Sequence, residues 1–238
     1  MEITRIGEKE MCQKPIKTIL FDMDNTLFDL VGAQIEACHT VSQSLGWEDG
    51  DDLYKYFLRP VHGYESHENI LDYINDRQSL SKGMYDTACR IYEFEKLRNI
   101  TPYSGVKETL QQLREQGLPL GLVTDAHSLD AVRRMEKAGL LTYFSGLVSF
   151  DMVQVKKPAP EPFLLALEML KTSREETLLI GDSPRRDIEP CKNLGIRTAY
   201  ARYGDRFSDD RSPVEADFII DSITEIPVIL KRFSSDSS

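Results

Sequence analysis

One stretch constrains this chain more than any other: Thr18-Ile-Leu-Phe-Asp-Met-Asp-Asn-Thr-Leu-Phe28. Thr18 to Phe21 are apolar, β-branched or aromatic with no polar alternation, which predicts a strand buried on both faces of a parallel sheet. Asp22 and Asp24 follow at once, so they sit where that strand ends. In open α/β sheets ligands bind beyond the carboxyl ends of the strands, and positions two apart on an extended chain point the same way. Both carboxylates are therefore expected to face one pocket. Two acids that close repel: one stays ionised only beside a compensating cation, while the other is pushed towards its protonated form. That division supplies a nucleophile and a proton donor. Taken alone, Asp-x-Asp-x-Thr is equally a turn with a helix cap; the strand before it and the residues further along decide between the two.

After Leu27 the pattern changes, and from about Leu30 to Arg98 no strand-like run occurs. Ile35, Cys38, Val41 and Leu45 recur at helical spacing up to Gly46, and further helices are predicted around His67 to Ile74 and Lys82 to Leu97. A helical block of roughly 70 residues between two strands is too long for an ordinary βα connection. Residues 30–100 are thus expected to form an inserted helical cap, and residues 1–29 with 101–238 the α/β core. From Thr101 onward strands and helices alternate. Helices are predicted at Val106 to Gln116, Ser128 to Lys137 with Ser128 as cap, Pro160 to Leu170, Pro184 to Gly195 with Ser183 as cap, and Ile223 to Lys231. Strands are predicted at Leu118 to Val123, Gly146 to Phe150, Thr177 to Ile180, Ile196 to Tyr200 and Phe218 to Ile220. This alternation implies a doubly wound parallel sheet covered on both faces.

The 238 residues leave room for such a core with an insertion, and the formal net charge of −10 argues against a non-specific nucleic-acid binder. A local cationic pocket for a small phosphate is compatible with it. Cys12, Cys38, Cys89 and Cys191 are scattered without Cys-x-x-Cys spacing, the pattern of incidental thiols in a reducing compartment. Residues 1–15 have no apolar core long enough for export and no stretch reaches membrane-spanning length. A cytoplasmic protein is expected, with a loose N-terminal leader and a frayed tail from Ser234, present as monomer or homodimer.

Several predicted strand ends carry reactive groups. Asp22-Met-Asp-Asn-Thr-Leu, the strand ending in Thr124, the Lys157-Pro158 step and Gly181-Asp182-x-x-x-x-Asp187 occur in this order. In that order they resemble the four motifs of the haloacid dehalogenase-like (HAD) hydrolase superfamily. The resemblance spans Lys17 to about Arg232 and includes a helical insertion where that family's type-1 cap is found, as in phosphoglycolate phosphatase-like members. It implies a Rossmann-like α/β core with strand order 3-2-1-4-5 and an inserted α-helical cap, which puts Asp22 at the switch point of the sheet.

A phosphate ester resists attack because its oxygens are negative, so a catalyst needs a metal, a cation and backbone donors around the phosphoryl group. Asp22 is the expected nucleophile, forming an aspartyl-phosphate, and Asp24 the acid and base for the leaving group and the hydrolytic water. Mg²⁺ suits oxygen ligands from Asp22, Asp182 and the backbone carbonyl of Asp24, which leaves the Asp24 carboxyl free for proton transfer. By resemblance, Lys157 neutralises nucleophile and phosphoryl group, Thr124 and the Asp125 N–H hold phosphoryl oxygens, and Asp187 orients the metal site or binds it through water. The expected partner is a small phosphorylated metabolite, with neither nucleic acid nor membrane. Arg59, His62, Tyr64 and Arg77 are candidates for setting specificity from the cap, while Arg185 and Arg186 are left as surface charge.

Four other activities compete with this one. A dehalogenase attacks carbon without metal and lacks an aspartate at the position of Asp24. A phosphomutase of the β-phosphoglucomutase type shares every core motif. A phospho-receiver places its acceptor on a later strand and has no cap, and a non-catalytic phospho-ligand-binding protein would lack a catalytic group. No Gly-x-Gly-x-x-Gly follows the first strand and no Walker-type loop occurs, against dinucleotide or nucleotide folds.

Overall fold

The computed structural model describes residues 14–77, 81, 83–207 and 214–234. Strand β1 (Thr18–Phe21) lies at the centre of a six-stranded sheet and is wholly buried. It pairs in parallel with β2 (Leu120–Val123) on one side and β4 (Thr177–Gly181) on the other, with Leu20 opposite Gly121 and Leu179. Strand β3 (Gly146–Val148) extends the sheet beyond β2, while β5 (Arg197–Ala201) and the edge strand β6 (Phe218–Ile220) extend it beyond β4. The order β3-β2-β1-β4-β5-β6 is that expected, with the sixth strand added at the edge.

The unbroken apolar run of β1 is explained by what its two faces meet. Ile19 and Phe21 enter one helical layer with Leu110, Leu113 and Met135, whereas Leu20 enters the opposite layer with Phe163, Leu179 and Cys191. Each such side chain, shielded from water, contributes roughly 1.5–3 kcal/mol. A strand covered on both sides cannot shift register without expelling one of these sets, so its C-terminal tip is held firmly.

Between β1 and β2 the chain forms α1 (Leu30–Ser44), α2 (Gly50–Phe57), α3 (Glu68–Asn75), α4 (Met84–Arg98) and α5 (Val106–Glu115). The first four have a core of their own, built on Val41, Leu53, Phe57, Ile70, Tyr73 and Tyr92, with Phe57 stacked on Tyr92 at 4.9 Å. Helix α1 begins earlier than its apolar spacing suggested, because the Asp29 side chain accepts the Gly32 N–H and caps it. Helix α2 was not anticipated. Its signals are Asp49, which caps the Asp52 N–H at 2.9 Å, acids in the first turn, and Leu53 with Phe57 one turn apart.

The remaining helices are α6 (Ser128–Ala138), α7 (Phe150–Val153), α8 (Glu161–Met169), α9 (Glu189–Asn193) and α10 (Ile226–Ser234). Ser128 is not the cap expected of it: its N–H and hydroxyl donate to Asp151 at 2.7 and 2.6 Å. The third strand stops at Val148 and the short helix α7 takes up Phe150, where a longer strand was predicted. Cys38, Cys89 and Cys191 carry free thiols. Cys12, Lys82, the expected leader up to residue 13 and the tail beyond Ser234 lie outside the described residues. No helix among the described residues is long and apolar enough to cross a membrane.

Candidate active site

Asp22 follows β1 directly, and its N–H still belongs to the sheet through the Ile180 carbonyl at 2.9 Å. The chain then has to turn sharply. Asn25 takes up the turn in the left-handed region, at φ 63°, a conformation that asparagine tolerates better than most residues. Its side-chain oxygen accepts the Val31 N–H at 3.1 Å and its own N–H donates to Phe28, so the loop closes onto the start of α1. One residue on, the buried hydroxyl of Thr26 lies 3.1 Å from Asp22 and 3.3 Å from Asp182, bridging the ends of β1 and β4.

Lys157 reaches the same point from the loop before α8. Its ammonium is buried, donates to Asp22 Oδ1 and lies 2.6 Å from Asp187 Oδ1. Its backbone N–H donates to Asp125 at 2.9 Å, and the Lys157-Pro158 peptide is cis. Asp187 arrives on a five-residue turn of π-helix, Pro184–Ile188, which returns the second carboxylate to the first across the four intervening residues. Ser183 caps that turn as expected, and its N–H donates to Asp187 at 3.0 Å. Gly181 makes the fit possible, since a Cβ there would stand 2.6 Å from the Asp187 side chain.

Asp22, Asp182 and Asp187 are thus brought together, each offering a carboxylate oxygen within 4.8 Å of the others. Burial, reinforced by Asp22 and Asp187, drives the Asp182 carboxyl well above its ordinary range. Burial also raises Asp187, against the pull of Lys157. Lys157 is pushed down by burial but held well above the ordinary lysine value by Asp187 and Asp22. Three buried carboxyl groups stand against one buried ammonium and line the site with hard oxygen donors. That donor set suits a divalent cation.

Thr124 sits at the tip of β2, where its hydroxyl oxygen accepts the Ala126 N–H at 3.1 Å and keeps its own proton to donate. Arg186, expected as surface charge, lies 3.5 Å from Asp125. Asp24 is paired with a different cation: its two carboxylate oxygens are each 3.0 Å from Arg134 Nη1 on α6. Burial raises Asp24 to about 6, against Arg134 and with Glu65 and Asp22. Arg134 and Glu65 were not singled out from sequence, and neither stands beside a motif.

Of the residues proposed to set specificity, Arg59 and His62 are both tied to Asp72, and Arg77 is held by Asp52 and the Tyr73 ring. All of these partners lie within the helical insertion. Tyr64 meets Phe207 of the core edge-on at 5.6 Å, with its hydroxyl 3.0 Å from that of Tyr54.

Buried carboxylates and a lysine gathered at the central strand tips of a doubly wound sheet define a class, and comparison with known proteins agrees. The family model for haloacid dehalogenase-like hydrolases matches residues 19–201, and the chain belongs to that family. It is 26% identical over 233 residues to the glyceraldehyde 3-phosphate phosphatase of Methanocaldococcus jannaschii, covering 93% of this chain and 100% of that protein. To the phosphoglycolate phosphatase of Vibrio parahaemolyticus it is 28% identical over 224 residues, 91% of this chain and 96% of that one. Its fold is shared by the magnesium-bound HAD-hydrolase YfnB of Bacillus subtilis, with a TM-score of 0.74, 20% identity, and coverage of 92% and 100%.

Proposed function

We propose that this protein is a Mg²⁺-dependent phosphatase acting on a small phosphorylated metabolite, with residues 30–100 as its cap. The observation that carries this is the pairing of Asp22, at the tip of the central strand, with a buried lysine and two further buried carboxylates. In the first step an Asp22 oxygen attacks phosphorus, the P–O bond to the leaving group breaks, and Asp24 gives that oxygen its proton. In the second step Asp24 takes a proton from water, the water oxygen bonds to phosphorus, and the bond to Asp22 breaks to release phosphate. Lys157 offsets the charge of the nucleophile and of the phosphoryl oxygens, and Thr124 with the Asp125 N–H donates to those oxygens. Asp22, Asp182 and the Asp24 carbonyl would hold the cation, with Asp187 fixing Lys157 beside them. When bound, Mg²⁺ supplies Lewis-acid stabilisation of the negative phosphoryl oxygens.

Phosphate release measured over a metabolite panel, with Mg²⁺ and with EDTA, tests this assignment. Magnesium-dependent release from at least one small phosphate monoester is expected. Release that survives both chelation and Asp22→Asn would overturn it, and isomerisation of a sugar phosphate without net release would identify a mutase instead.

A further inference from the structure

Arg134 belongs to none of the four motifs, yet it is buried at the point where the helical insertion meets the core. Its Nη1 contacts both oxygens of Asp24 in the core at 3.0 Å and Glu65 Oε1 in the insertion at 3.3 Å, and its Nη2 donates to Glu65 Oε2. Glu65 is also held by Lys96 of α4, at 3.2 Å, and Lys96 by Glu93 at 2.9 Å. The charges alternate along this row from Asp24 to Glu93, so each buried group is compensated by its neighbours. Breaking one link leaves an uncompensated charge. Beside the row, α4 and α6 are separated by a cleft lined by apolar Phe94, Leu97 and Ile100 as well as by charged groups that include Lys96, Arg133 and Arg134. At this place buried ion pairs join the two parts of the molecule beside apolar side chains of α4.

We propose that Arg134 is a positioning residue whose guanidinium ties the Asp24 carboxylate to Glu65, so that one side chain sets both the aim of the proton-transferring group and the seat of the cap. The proposal rests on the phosphatase function assigned to Asp24 above. Among the described residues Arg134 is the one side chain hydrogen-bonded to the Asp24 carboxylate. A displacement of the cap that moves Glu65 is therefore felt by Asp24 through a single rigid group.

The test compares the full chain with Glu65→Gln, Arg134→Gln, Arg134→Lys and the double variant Glu65→Gln/Arg134→Gln. Steady-state kinetics, thermal unfolding and hydrogen exchange of residues 22–30 and 84–98 are measured on each. Glu65→Gln is expected to raise KM about fivefold or more and to speed exchange in 84–98, and Arg134→Gln to lower kcat about tenfold as well. The double variant should be no worse than Arg134→Gln within about twofold, as for two residues acting through one contact. Arg134→Lys keeps the charge and should recover part of kcat. Effects that multiply in the double variant, or an Arg134→Gln protein with kcat within about twofold and unchanged exchange, would overturn the proposal. If the unsubstituted chain releases no phosphate, the assigned function fails separately, and hydrogen exchange decides the tie.

Discussion

Asp22 is the residue on which the proposed chemistry turns, and its neighbours hold it in place. One carboxylate oxygen is taken by Lys157 and the other by Thr26, so rotation about its side chain is opposed from two sides. Asp22→Asn keeps the volume and removes the charge; it should lower turnover by about 10³-fold or more with little change in thermal midpoint, measured by phosphate release and calorimetry. Asp182 offers a second test through binding alone. Saturating Mg²⁺ at about 100 times its Kd should stabilise the native protein by about 2.7 kcal/mol, and Asp182→Asn should abolish that magnesium-dependent rise in unfolding midpoint. Asp22 and Asp182 were legible in the sequence because each directly follows a predicted strand, whereas Lys157 and Asp187 were picked out only by the resemblance of the ordered motifs to a known family. Arg134 and Glu65 were picked out by neither. Arg134 is 110 positions from Asp24 and 69 from Glu65, on a helix face whose partner only the packing of the insertion reveals.

At the scale of elements, the step from β4 into the π-helical turn does the most to assemble the site. Four residues separate Asp182 from Asp187, and the wider turn absorbs that length while bringing the second carboxylate back against Lys157. The approach is close enough that Gly181 cannot carry a side chain, its Cβ position being 2.6 Å from Asp187 Cβ. Gly181→Ala should therefore destabilise the protein by about 1–3 kcal/mol through overpacking and, by displacing Asp187, lower turnover by about tenfold or more. Chemical denaturation with parallel kinetics checks both, and an alanine variant with unaltered midpoint and rate would show that the turn has slack. Gly181-Asp182-Ser183-Pro184 announced a sharp exit from the strand, but not its π character, which depends on how Asp187 packs against Gly181 and Lys157. The helices of the insertion were harder to read, because α2 offers only eight residues and its apolar pair, Leu53 and Phe57, faces a core supplied by other helices.

At the scale of the whole molecule, the helical insertion, which has an apolar cluster of its own, meets the sheet core through buried charge, and that junction gives stability a dependence on pH. Burial alone would raise Glu65, but Arg134 and Lys96 outweigh it and hold the carboxyl down to about 2. In the unfolded chain a glutamate titrates near about 4.3. Between these values the unfolded state binds more protons than the native state, so native stability falls as the pH falls. The contribution of Glu65 is therefore fully present above the unfolded value and is lost progressively from there down to about pH 2. Glu65→Gln cannot titrate, so its unfolding midpoint should decline less steeply over this acid range, although it starts lower at neutral pH because Arg134 and Lys96 lose a partner. Thermal unfolding of both proteins from pH 7 to pH 3 measures the difference in slope. Parallel curves would mean that the Glu65 carboxylate is as well accommodated in the unfolded chain as between the insertion and the core, and that the junction is held by the apolar contacts around it.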